Sequence, residues 1–69
     1  MANERNALST RQLEVFHLIV QGRSNREMAH ALNLAEGTIK VHVSALFTKL
    51  GVERRAAVAI AGARFLAVA

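Results

Sequence analysis

The sequence predicts an all-α, compact four-helix domain. Three observations carry that prediction. The 69 residues contain no proline. No segment keeps the strict apolar–polar alternation of a half-buried strand. Helix-start and helix-stop signals, by contrast, recur at short intervals along the whole chain.

The first helix, about 10–21, opens on Leu8-Ser9-Thr10-Arg11-Gln12-Leu13. Ser9 at the N-cap and Gln12 three residues later form a capping box, and Leu8 and Leu13 occupy the two hydrophobic-staple positions. Leu13, Phe16, Ile19 and Val20 then keep helical spacing until Gly22, which suits the left-handed stop. A second box, Ser24-Asn25-Arg26-Glu27, starts a short helix at about 25–32, with Met28, Ala29 and Leu32 on its apolar side. Asn33 tolerates the left-handed conformation and leads into the tight connection Asn33-Leu34-Ala35.

The third helix, about 36–50, ends at Gly51, and Val52 closes a contact back onto its last turn. At about 100° per residue, Ile39, Val43, Leu46 and Leu50 fall on one stripe, with Phe47 at its margin. Val41, Ser44, Ala45 and Thr48 lie opposite, flanked by Lys40 and Lys49. The fourth helix, about 54–68, is alanine-rich and apolar on almost every side. Such a helix is buried all round, and so small a chain has too little protein to do it. A second copy of the chain is the expected partner for its outer face. Residues 1–7 read as a disordered segment or linker remnant, and residues 8–69 as one domain.

Composition narrows the function. Nine Lys and Arg against five Asp and Glu give a net charge of +4, with a pI near 11.3. That excess favours polyanions or an anionic surface. The three aromatic residues are all Phe, too few to build stacking platforms for single-stranded nucleic acid. With no cysteine, neither a disulfide framework nor a thiolate metal site supports the core. His17, His30 and His42 fall on three helices without ligand spacing, so neither metal nor cofactor is expected. No nucleophile, phosphate loop or carboxylate pair indicates an enzyme. The apolar C-terminal run is shorter than the roughly 20 residues of a membrane span, and no membrane partner is expected.

Two helices joined by a three- or four-residue turn match the helix-turn-helix, whose second helix enters the major groove of double-stranded DNA. That groove, about 12 Å wide, accepts a helix whose outward residues are small or shaped to base edges. Val41 is placed to press on a thymine methyl, and Ser44 and Thr48 to bond base edges or phosphates. The start of the second helix, with Ser24 and Asn25, suits a phosphate. Lys40, Lys49, Thr38, Arg23 and Arg26 complete the candidate rim.

The stretches "LSTRQLEVF", "GRSNREMAHAL", "GTIKVHVSAL" and "KLGVERRAAVAIA" together resemble the LuxR/GerE-type helix-turn-helix domain, which is also the C-terminal effector half of NarL-like response regulators. The resemblance covers about residues 8–61. It implies a sequence-specific transcriptional regulator whose third helix reads the groove and which acts as a homodimer through the fourth. The base-contacting positions it implies are Lys40, Val41 and Ser44. Phosphate contacts fall at Ser24, Asn25, Arg26, Thr38, Thr48 and Lys49, and the dimer interface at Val58, Ala61 and Phe65. RNA polymerase is a further partner it admits, in a bacterial cytoplasm with the domain nucleoid-associated on DNA. The family's domain usually follows a regulatory domain, so the chain reads as an excised effector domain or a short stand-alone member.

Departures from the family pattern accompany the match. Ala35 replaces a usual Ser or Thr cap, at a cost of about 1 kcal/mol. Arg54 stands where a capping residue is common, and Ser44 where some members are basic. A sigma-factor-like region is close in physics but lacks the dimerising helix. An interaction module binding another protein through its basic helices and apolar fourth helix is the competing class.

Overall fold

A computed structural model describes residues 8–68, with side chains described to residue 64. The expected segment at 1–7 and the Phe65 side chain lie outside the described residues. Four α-helices and no strand occur among the described residues: α1 (Thr10–Val20), α2 (Asn25–Leu32), α3 (Glu36–Leu50) and α4 (Val58–Val68).

Both capping boxes form. Ser9 Oγ accepts from the Gln12 amide while Gln12 Oε1 accepts from the Ser9 amide, at 3.1 and 2.9 Å. Ser24 and Glu27 repeat the exchange at 3.1 and 2.8 Å. Leu8 and Leu13, the staple pair of α1, both pack against the core.

The first three helices end alike. Gly22, Asn33 and Gly51 adopt φ of 82°, 56° and 69°. After each, the next residue's amide reaches back to the last turn: Arg23 to Leu18, Leu34 to Ala29 and Val52 to Phe47, at 2.9 to 3.0 Å. This is the Schellman pattern, which satisfies carbonyls that the helix end would otherwise leave bare. An added side chain would strain the two glycines at that φ, and Asn33 is the non-glycine type that tolerates it best.

The core is one cluster drawn from all four helices: Val15, Phe16 and Ile19 of α1, Met28 of α2, Ile39, Val43 and Leu46 of α3, and Val58 of α4. Each buried side chain of this size contributes about 1.5–3 kcal/mol relative to exposure. α3 lies between the others, packed on α1, α2 and α4. α1 also meets α4 at close range, because Gly62 is buried against Phe16. A Cβ at position 62 would lie 2.6 Å from Phe16 Cζ, so only glycine allows this approach.

The fourth helix starts differently from the expected 54–68. Arg55–Ala57 form a single 3-10 turn before α4 proper begins. Arg54 gives no side-chain cap, and its carbonyl instead accepts a tight bond from the Ala57 amide at 3.1 Å. An i→i+3 turn is a usual way to satisfy backbone groups at an uncapped helix end.

Candidate nucleic-acid interface

α3 separates into two faces. Ile39, Val43 and Leu46 are buried, whereas Lys40, Val41, Ser44, Ala45 and Thr48 are exposed. Val41 is 66% exposed, unusual for a β-branched apolar side chain. Thr38 is exposed in the first turn. Lys49 is half-buried at the far edge of the outward arc. Gly37, which the sequence reading did not single out, is exposed four residues before Val41 and therefore on the same arc.

The outward face carries no Asp or Glu. The carboxylate nearest in sequence, Glu36, sits at the first helical position, where the helix dipole favours negative charge. The N-cap of α3 is Ala35, with no side-chain hydrogen bond. Buried Ile39, in the first turn, anchors this end from the core side.

The start of α2 is built more tightly. Ser24 is the cap, and its own amide is already taken by Glu27 Oε1, leaving the hydroxyl as its remaining donor. The hydrogen bond from the Ser24 backbone holds the Glu27 carboxyl below its ordinary pKa. Partial desolvation opposes that shift, while the Ser24 hydroxyl and the Arg23 charge reinforce it. Arg23 Nη1 stands 4.0 Å from Glu27 Oε2. Arg26 is exposed beside them, and Asn25 is half-buried.

Arg55 explains the state of Asn25. Its guanidinium donates to Asn25 Oδ1 at 2.8 Å and to the Arg23 carbonyl at 2.7 Å. Sequence reading missed this residue, since its partners lie 32 and 30 positions earlier and no local pattern marks the link.

One of the fourth-helix positions, Val58, needs correction. Val58 is fully buried in the core, and Ala61 is half-buried on the same side as Gly62. Positions 58, 61 and 62 share one helical stripe, and that stripe faces α1 and α3. Val58 therefore presents no outer interface, whereas Ala61 keeps part of its surface exposed. The exposed side of α4 carries Ala59, Ile60, Ala63 and Arg64, with Ile60 65% exposed. No described helix is long and apolar enough to cross a membrane.

A four-helix domain with an outward α3, a three-residue turn before it and no acidic side chain on its exposed face is a DNA-binding helix-turn-helix module. The model of the family described as "Bacterial regulatory proteins, luxR family" matches residues 6–61, and the chain belongs to that family, as its DNA-binding domain. The family is one of regulators, not of enzymes. Among similar proteins, the nitrate/nitrite response regulator protein NarP of Escherichia coli is 44% identical over 55 residues, 80% of this chain and 26% of that protein. The glycerol metabolism activator of Pseudomonas putida is 45% identical over 49 residues, covering 71% of this chain and 22% of its own. The spore germination protein GerE of Bacillus subtilis is 42% identical over 48 residues, 70% of this chain and 65% of that protein. The chain thus spans about a quarter of the length of the two longer relatives. No solved structure gives a significant match.

Proposed function

We propose that the domain reads double-stranded DNA with α3 in the major groove and acts as a homodimer. The observation that carries the reading is the outward face of α3, where a two-thirds-exposed Val41 shares the arc with Lys40 and Ser44 and no acidic side chain. Folding gains nothing from an exposed valine there, whereas a thymine methyl would be a fitting contact. Lys40 and Ser44 supply donors for base edges. Thr38, Thr48 and Lys49 on α3, with Ser24, Asn25 and Arg26 at the α2 start, supply phosphate contacts. These positions come from two helices packed on each other, as one binding surface requires.

The dimer contact is assigned to the outer side of α4 around Ile60. That face is exposed and, Arg64 apart, apolar, and Gly62 and Val58 lie on the opposite side, toward the core. The length of the relatives supports a regulatory domain elsewhere in the full protein, with this module as its DNA-binding output.

Selection from a randomised duplex pool tests the reading. Enrichment of a motif with two related half-sites is the expected result. Binding without enrichment would reduce the domain to a basic surface attracted to phosphate, and a lone half-site would remove the dimer. On the selected duplex, the double variant Lys40→Ala/Val41→Ala should bind more weakly by at least about 1 kcal/mol, in line with the value of base contacts. Its circular dichroism should stay unchanged. Unaltered affinity would sink the assignment of α3 as the reading helix.

A further inference from the structure

Arg55 links the turn ahead of α4 to the start of α2, two parts of the chain 30 and 32 residues apart. It opens the 3-10 turn ahead of α4, is half-buried, and reaches the residues on either side of the α2 cap. One nitrogen meets a side chain of the first helical residue, Asn25, and another meets the backbone carbonyl of Arg23. The two bonds hold both the path of the chain into α2 and the rotamer of Asn25.

The chemistry of the pair sets the direction of the Asn25 amide. A guanidinium offers donors only, so Oδ1 must face Arg55. The Nδ2 donors then point away from it, and the amide offers donors rather than an acceptor to any further partner. Arg23 and Arg26, both exposed, flank the same point. A lysine would not replace this contact, because it lacks the planar fork that spans two fixed acceptors.

We propose that Arg55 is a positioning residue for DNA binding. It clasps the start of α2 so that the Asn25 amide donors, Arg23 and Arg26 stand in fixed register with the outward face of α3. Arg55 acts through these groups and does not itself touch the nucleic acid. The inference rests on the DNA reading proposed above.

The test compares Arg55→Ala, Arg55→Lys, Asn25→Ala and the Arg55→Ala/Asn25→Ala double variant on the duplex selected by the parent chain. Affinity is measured across a range of salt, at a temperature well below each thermal midpoint, with the active fraction fixed by stoichiometric titration. Arg55→Ala should weaken binding about tenfold, as should Asn25→Ala, with the double variant little worse than either because the two act as one unit. Arg55→Lys should not restore affinity, and the log–log salt slope should match the parent's. A merely structural arginine would lower the midpoint and leave the affinity of the folded fraction alone, which overturns the proposal. A slope shallower by about 0.9 would make Arg55 itself a phosphate contact and also overturn it, as would full rescue by lysine. Should Arg55→Ala fold poorly, Arg55→Lys, which keeps the charge and much of the stem, carries the comparison. If the parent selects no duplex, the DNA reading fails; if the parent binds and the variants bind equally, only the clasp fails.

Discussion

The two helices of the helix-turn-helix begin in opposite ways. α2 starts with a complete capping box, an arginine clasp from 30 and 32 residues away and an ion pair to Glu27. α3 starts at Ala35 with no side-chain cap and an exposed glycine two residues later. Each helix takes its position from a different source. α2 is eight residues long and contributes one buried side chain, Met28, so its start must be tied by polar contacts. α3 is fifteen residues long and lays three buried side chains along the core. Packing fixes its axis, and its first turn is held by buried Ile39 rather than by a polar tie.

The α2 start is the more sensitive of the two to substitution. Ser24→Ala removes the acceptor for the Glu27 amide and frees the Glu27 carboxylate from its reciprocal arrangement. A loss of about 1 kcal/mol, up to about 2, is expected in denaturant unfolding. Because the clasp by Arg55 depends on the same backbone, the loss should exceed that of the matching Ser9→Ala in α1, which has no such clasp. Equal losses would show that the two boxes are independent of their surroundings.

A somewhat smaller effect of opposite sign is expected at the other start. Ala35 already has the extended backbone of an N-cap, with φ −67° and ψ 148°. Ala35→Ser therefore adds a capping acceptor without moving the chain, and should stabilise the domain by about 1 kcal/mol. If α3 is placed by its core stripe, affinity for DNA should change little. A large change in affinity with little change in stability would mean that the first turn of α3 is adjusted on binding.

What could be read in the sequence follows the range of the interactions. The caps of α1 and α2, the stops at Gly22, Asn33 and Gly51 and the two faces of α3 depend on residues within a turn or two. All of them were legible, and the ion pair between Arg11 and Glu14, at 3.4 Å, is of the same short range. The phase of α4 was not legible, because a helix that is apolar on almost every side gives no contrast from which to take its inward direction. Gly62 against Phe16 fixes that direction, and this contact spans most of the chain. The Arg55 clasp escaped notice for the same reason. At the candidate interface, residue types pointed to the α3 face, while the part of Asn25 already engaged was visible only once the fold brought Arg55 to it.

The smallest expected effect compares the α2 box with that of α1, where Gln12 does the work of Glu27. An amide and a carboxylate both supply an acceptor to the cap amide, but only the carboxylate titrates. Glu27 has its pKa lowered on folding, mainly by the Ser24 backbone bond. A group with a depressed folded-state pKa contributes stability that is present above its unfolded pKa and is lost as pH falls through the folded one. The parent should therefore lose thermal stability through the acid end of the carboxylate range. Glu27→Gln keeps the box in the form that α1 uses and removes this titration, so its midpoint should fall less steeply over the same range. Parallel curves for parent and variant would mean that the carboxylate is held no more strongly in the folded chain than in the unfolded one, and the α2 box would then differ from the α1 box in composition alone.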